Sequence, residues 1–289
     1  MTYVLAIGDR TYSSWSLRGW LMFAAFGLPV TVRSARLYTA DFAALLEEFA
    51  PARRVPAAKI DGAPVWDSLA ILETLAERHP KAGHWPEPPD LRALARSMVA
   101  EMHSGFTALR SACPMNLRQA FRGFEPSAEV RADLDRIEAL WALAREASGD
   151  GPWLFGRYSA ADAYFAPVAS RIATYGLAVG PGAAAYVGAH LAEPNFRRWR
   201  AMGLAENYVQ PDYDPGLPVA PWPGPAALPA RAVSGVRAEN THCPYSGKPV
   251  ATDSFAEIQG RVIGFCNPFC RDKTVADPEA WPEAMALLA

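Results

Sequence analysis

Charge of one sign is what this sequence most clearly lacks. Its 28 Lys and Arg against 30 Asp and Glu leave a formal net charge of −2 over 289 residues. Without a basic bias, a nucleic-acid partner or an anionic membrane surface is not expected. No apolar run reaches transmembrane length, and the N-terminus has no charged segment leading into an apolar core. The reading is therefore a cytoplasmic protein with no membrane partner. Cysteine is scarce too: four residues, none before Cys113. That gap speaks against thiol exchange through a cysteine of the chain's first third. The sequence also contains no internal repeat. What it does contain, 51% hydrophobic and 20% charged residues, suits a globular chain of two ordinary domains and a small third one.

Residues 1–80 alternate strand and helix signals. The apolar run Tyr3-Val4-Leu5-Ala6-Ile7 meets the turn Gly8-Asp9-Arg10, and then Leu17, Trp20, Leu21 and Ala24 share one helix face. Val30–Arg33 reads as a β-branched strand and Asp41–Phe49 as a short helix. Ala57–Ile60 and Pro64–Trp66 flank Asp61-Gly62, a hairpin signal. Asp67-Ser68 opens a helix with Leu69, Leu72, Leu75 and Ala76 inward. This order describes an α/β layer on a small mixed sheet. From Leu91 the regime is helical. Leu91, Leu94, Met98, Met102, Phe106 and Leu109 make one long stripe, Val130 to Ala144 a second. Ser159 and Asp162 form a capping box before a third. Seven prolines from Pro211 to Pro229 mark residues 208–240 as a linker, and residues 241–289 follow as a compact tail module.

The loop Tyr12-Ser13-Ser14-Trp15-Ser16-Leu17-Arg18 is the most informative stretch. A buried strand, a polar loop and a hydroxyl-rich helix start make a place to hold an anion, because free N–H groups and the positive dipole end converge there. A serine hydroxyl beside them can donate to a bound thiolate. It can equally well serve only as a helix cap.

In the tail, Cys243 sits in the turn His242-Cys243-Pro244-Tyr245-Ser246-Gly247. Cys266-Asn267-Pro268-Phe269-Cys270 follows the apolar run Val262–Phe265. In a reducing compartment such a cluster suggests a metal before a disulfide. A strand feeding a Cys-x3-Cys turn into a helix puts two thiolates on one side of a soft ion such as zinc or copper(I). Four ligands close a structural zinc site. Three are cysteines here, and His242, a water or a carboxylate stands open as the fourth. The layout resembles the treble-clef modules called TRASH or YHS, including Asp277-Pro278-Glu279.

Residues 1 to about 205 resemble the glutathione transferases. Three features carry the resemblance: Tyr12–Arg18, similar to the Ser-Ser-Cys-Ser loop of the zeta class; Val55-Pro56, similar to the family's cis-proline; and Asp67-Ser68-Leu69-Ala70-Ile71, similar to the start of its third helix. The resemblance implies a thioredoxin-like domain over 1–80 and an all-helical domain over 90–207, beside the small α+β tail. It also implies a homodimer that binds glutathione and a small electrophile. The implied roles are Ser13, then Ser14, then Tyr12, as hydroxyl donor to the glutathione thiolate. Val55 pairs with the cysteinyl segment, Ser68 receives the γ-glutamyl carboxylate, and Asp67 meets the ammonium or serves the helix dipole. Arg18 is a buried partner. Trp15 stands where the zeta loop has cysteine, which counts against maleylacetoacetate isomerisation. A scaffold that binds glutathione or metal without turnover is the reading of a different class.

Overall fold

The computed structural model describes residues 1–149 and 151–288. They form two units: Met1–Leu191 with Gln210–Pro223, and Ala192–Val209 with Gly224–Ala289. Each is described by itself.

The first unit begins with β1 (Tyr3–Ile7), α1 (Ser14–Ala24), β2 (Thr31–Ser34), α2 (Ala40–Glu48), β3 (Ala57–Ile60), β4 (Ala63–Val65) and α3 (Ser68–Arg78). The sheet order is β2-β1-β3-β4, with β1 and β2 parallel and the other pairs antiparallel. This is the expected thioredoxin-like half. Leu5, Ala6 and Ile7 on β1 are fully buried, as are Leu17, Leu21 and Met22 on α1 and Ile71, Leu72 and Leu75 on α3. A Cβ on Gly19 would lie 2.6 Å from Pro56 Cβ, so only glycine lets α1 lie this close to the Val55–Pro56 corner.

The helical half consists of α4 (Pro89–Ser104), α5 (Thr107–Ala112), α6 (Ala128–Ser148), α7 (Ala160–Thr174) and α8 (Pro181–Ala192), with the two-residue strand β5 (Ala120–Phe121) between α5 and α6. The single helix expected from Leu91 to Leu109 is two. Gly105 ends α4 in an extended conformation and Phe106 takes φ 57 before α5 begins. Glycine's low helix propensity decides this break against an unbroken apolar stripe. α7 starts on the Ser159–Asp162 capping box and buries most of its surface.

Two expected boundaries are corrected. Residues 208–240 are not one linker. Gln210–Pro223 belongs to the first unit, where β6 (Val219–Ala220) pairs antiparallel with β5. The Arg122 N–H also donates to Pro218 O at 2.8 Å. The helical domain does not run to 207 either, because α9 (Pro194–Ala205) belongs to the second unit.

That second unit is larger than residues 241–289. Its sheet runs β7-β8-β9, from β7 (Ala230–Val233), β8 (Phe255–Ile258) and β9 (Arg261–Gly264), antiparallel throughout. α10 (Pro268–Ala276) and the one-turn α11 (Pro282–Met285) follow. Ala256, Ile258, Ile263 and Phe265 are its fully buried centre. Arg197 on α9 forks onto Asp277, Nε to Oδ2 at 2.8 Å and Nη2 to Oδ1 at 2.6 Å. Arg198 Nε donates to Ala280 O at 2.7 Å. These bonds tie α9 to the tail, and Asp277 has its role in them. Among the described residues, no helix is long and apolar enough to cross a membrane.

Candidate functional site

Ser13 is the N-cap of α1. Its Oγ accepts from Ser16 N–H at 3.2 Å and lies 2.8 Å from Ser16 Oγ, which accepts from Gly8 N–H at 2.9 Å. Capping was the plain reading of this serine, and it holds. Ser13 also lines a cavity of about 650 Å³ within the first unit, together with Tyr12, Ser14, Trp15 and Val55. Ser14 Oγ lies 3.4 Å from Nη2 of Arg171, which donates to it.

The charge around these hydroxyls is one-sided. Arg53, Arg54, Arg110 and Arg171 line the cavity against one acid, Asp212. Arg171, only 4% exposed, spends its other bonds on carbonyls: Nε to Cys113 O at 2.8 Å and Nη1 to Pro167 O at 3.3 Å. Burial pulls its pKa down to about 10, with Arg110 acting in the same direction, and it still carries its charge at neutral pH. Arg110 donates to the carbonyls of His103 and Gly105. Sequence reading missed all four arginines. Arg171 did leave a signal, as a lone charge in the buried run Phe165, Val168, Ile172 and Tyr175.

The Arg18 guanidinium lies 4.8 Å and that of Arg110 4.9 Å from the centre of the Trp15 ring, and His103 is edge-on at 5.1 Å. Trp15 lines the cavity. Arg18 is fully buried, and its Nε donates to Tyr164 O at 3.0 Å. Burial lowers its pKa to about 9, a position consistent with a buried partner. Tyr12 is 1% exposed, and burial raises its pKa, so it stays a neutral phenol. Its ring lies 5.2 Å from that of Tyr213, whose hydroxyl is 3.4 Å from Tyr38 Oη. Tyr213 and Asp212 reach the cavity from the segment expected to be linker.

Val55–Pro56 is a cis peptide bond, as expected. Among the described residues the Val55 N–H and C=O pair with no other group, leaving an edge that a peptide can extend. Val55, Arg53 and Arg54 also line an adjacent cavity of about 350 Å³ that reaches Asp67. Asp67 caps α3 by accepting from Leu69 N–H at 2.9 Å, and its Oδ2 is 3.0 Å from His103 Nε2. Ser68 departs from expectation. Its hydroxyl is fully buried, accepts from Tyr164 Oη at 3.0 Å and lines neither cavity. The Tyr164 hydroxyl of α7 makes the hydrogen bond to Ser68 that the resemblance implies for the γ-glutamyl carboxylate.

A second constellation lies in the tail. Cys243 Sγ, Cys266 Sγ and Cys270 Sγ all lie within 4.8 Å of one another. The turn is held by Cys243 N–H to Lys248 O at 2.8 Å and Gly247 N–H to Cys243 O at 3.0 Å. Asn267 caps α10 through Cys270 N–H at 2.9 Å, while its Nδ2 and the Ser246 hydroxyl each donate to Cys266 Sγ at 3.2 Å. Burial raises the Cys243 pKa, but N–H groups of Cys266, Tyr245 and Ser246 outweigh it and bring the value to about 7. Burial pushes Cys270 up to about 12. Three close thiols with donors on their sulfurs suit a soft cation. His242 does not join them. It is exposed, with Nδ1 2.9 Å from Thr241 Oγ1.

The family profile described as the N-terminal domain of glutathione S-transferases spans residues 12–78, which holds the serine loop, Val55–Pro56 and Asp67-Ser68. Over those residues the chain is similar to the N-terminal domain of glutathione S-transferases. A probable maleylacetoacetate isomerase of Caenorhabditis elegans is 28% identical over 141 residues, 48% of this chain and 65% of that one. The maleylacetoacetate isomerase of Rattus norvegicus is 33% identical over 105 residues, 35% of this chain and 48% of that one. The chain thus spans about half to two thirds of these relatives' length. Among solved structures, a glutathione transferase homolog from Burkholderia with bound glutathione matches with a TM-score of 0.54 at 23% identity. That match covers 71% of this chain and 99% of that one. A maleylacetoacetate isomerase from Anaeromyxobacter dehalogenans, with glutathione bound, matches with a TM-score of 0.50 at 26% identity over 75% and 98%. The thioredoxin-like half and its helical partner are the glutathione transferase fold.

Proposed function

We propose that the chain is a glutathione-dependent transferase that uses a serine hydroxyl to hold the glutathione thiolate. The observation that supports this reading is Ser13 at the head of α1, lining the cavity beside Ser14 and the arginines. Gly8 N–H donates to Ser16 Oγ, which shares a hydrogen bond of 2.8 Å with Ser13 Oγ in which either oxygen can be the donor. The arrangement with Ser16 as donor frees the Ser13 proton for a bound thiolate. Each bond in such a chain polarises the next. Ser14 stands beside it with its oxygen already engaged by Arg171.

A free thiol near pKa 8.5 is mostly protonated at neutral pH; a helix N-terminus, a donated hydrogen bond and a nearby cation all lower that value. The thiol proton leaves to solvent, and the thiolate attacks the electrophilic carbon to form the S–C bond; with an aryl halide the carbon–halogen bond breaks and halide departs with its electron pair to solvent. Val55 receives the cysteinyl backbone, and Arg53 and Arg54 suit the tripeptide's carboxylates. Asp67 faces the γ-glutamyl end from the adjacent cavity. The main-chain N–H groups opening α3, rather than the Ser68 hydroxyl, receive the γ-glutamyl carboxylate. The usual homodimer and a cytoplasmic setting belong to the same reading.

The names of the curated relatives favour a second reading, glutathione-dependent cis–trans isomerisation. In that reaction the thiolate adds to and later leaves the same carbon. Trp15 in place of the zeta cysteine counts against it. Conjugation of a generic aromatic electrophile tests the first reading. Wild-type turnover with a loss of at least about tenfold in Ser13→Ala supports it, whereas undiminished turnover in Ser13→Ala, Ser14→Ala refutes the serine mechanism.

The tail's three cysteines complete the reading as a site for zinc or another soft metal. About one metal per chain in freshly reduced protein is the expected analysis, and less than about a tenth refutes it.

A further inference from the structure

The three-cysteine cup is incomplete in a specific way. A closed structural zinc site is four-coordinate, whereas sites that exchange or transform ligands keep a position open. Here the three sulfurs converge, and among the described residues no other cysteine, histidine or carboxylate joins their group. His242, adjacent in sequence, is turned to the surface and engaged with Thr241.

The opening has a direction. Cys243 is the inner wall at 2% exposure, while Cys266 and Cys270 are partly exposed. The cup is part of the unit's core: Cys243 belongs to the buried cluster of Ala256, Ile258, Ile263 and Phe265, and Cys266 and Cys270 pack against it. The Arg197–Asp277 fork and Trp281 Nε1 donating to Lys273 O at 3.0 Å hold the same unit without any metal. The cationic side matches an anionic cup as well. The Lys273 ammonium is held 3.6 Å from the centre of the Tyr245 ring and 3.7 Å from that of Trp281.

Resting on the proposed metal reading, we infer that the Cys243–Cys266–Cys270 cup binds a soft divalent cation through three thiolates and takes its fourth ligand from solution, a small exogenous thiolate by preference. A soft ion that already has three sulfur ligands favours a fourth of the same kind. The site is then a place where a metal and a small thiol meet, rather than a rivet of the fold.

The test is Co(II) titration of the full-length protein, reduced and kept anaerobic, followed by its thiolate-to-cobalt charge-transfer band and visible spectrum. Addition of 2-mercaptoethanol or glutathione should raise the charge-transfer intensity by about one third, for three sulfur bonds becoming four. The visible bands should shift, and one cobalt should remain with the protein after gel filtration. Imidazole should shift the visible bands without that rise. His242→Ala should behave as wild type. Cobalt uptake with a spectrum indifferent to added ligand, or altered by His242→Ala, would leave metal binding standing and overturn the open position. Loss of cobalt to the added thiol would overturn it as well. No uptake at all would overturn both.

Discussion

Replacing Arg171 by methionine removes a buried positive charge at nearly constant bulk, and its consequence for the proposed thiolate can be worked from the geometry. Nη2 lies 3.4 Å from Ser14 Oγ. A thiolate held by Ser13 against the neighbouring Ser14 hydroxyl sits roughly 3 Å beyond that oxygen, about 6 Å from the guanidinium. At an effective dielectric constant of about 20, two unit charges at that distance attract by about 2.8 kcal/mol, or about 2 pK units. The cavity is open to water, which reduces this to about 1 to 2 units. The bound glutathione thiol should therefore titrate about 1 to 2 units higher in Arg171→Met. At neutral pH, kcat/KM should fall about 10- to 100-fold and recover as the pH rises. Ultraviolet absorbance of the bound thiolate against pH reads the shift directly. Arg171→Lys should retain most of the wild-type profile, because it keeps the charge. Methionine also strands Cys113 O and Pro167 O, which costs about 1–3 kcal/mol of stability, so thermal unfolding accompanies each profile. A folded Arg171→Met protein with an unchanged thiol pKa would refute the electrostatic role.

Two further outcomes follow from other parts of the chain. Asp277→Ala leaves Arg197 without its forked partner at a site where the two side chains are only 9% and 18% exposed. Glu279 Oε2 remains 3.2 Å from Arg197 Nη2, so the expected loss is about 2 kcal/mol by denaturant unfolding, and a loss below about 1 kcal/mol would mean that the pair behaves like a surface one. Cys113 is fully buried, and burial pushes its thiol pKa from 9.0 up to about 12. A raised thiol pKa favours the neutral form, so at pH 8 its thiolate fraction is about a thousandfold below that of an ordinary cysteine. Iodoacetamide at that pH should modify Cys266 before Cys113 in peptide mapping, and prompt alkylation of Cys113 in folded protein would contradict this.

The sequence by itself determined whatever depends on neighbours along the chain. Ser13 can cap α1 because a serine precedes an apolar helical pattern. The succession of strands and helices in the first 80 residues follows from alternating β-branched and 3.6-period stretches, and Cys266 and Cys270 face one side because a helix begins between them. The pairing of Asp67 with the start of α3 was legible for the same reason.

What only the tertiary structure decided involves partners far apart in the chain. Tyr164 covers the Ser68 hydroxyl from 96 positions away, and Arg171 reaches Ser14 across 157. No local pattern specifies which buried group will meet another. The proline-rich stretch is the clearest case. Its composition describes a chain without a core of its own, yet Val219–Ala220 pairs with β5 and Tyr213 packs on Tyr12. α9 shows the same limit: its amphipathic pattern predicts a helix, while the Arg197–Asp277 fork decides that it belongs with the tail. Periodicity states that a face will be buried; only packing states against what.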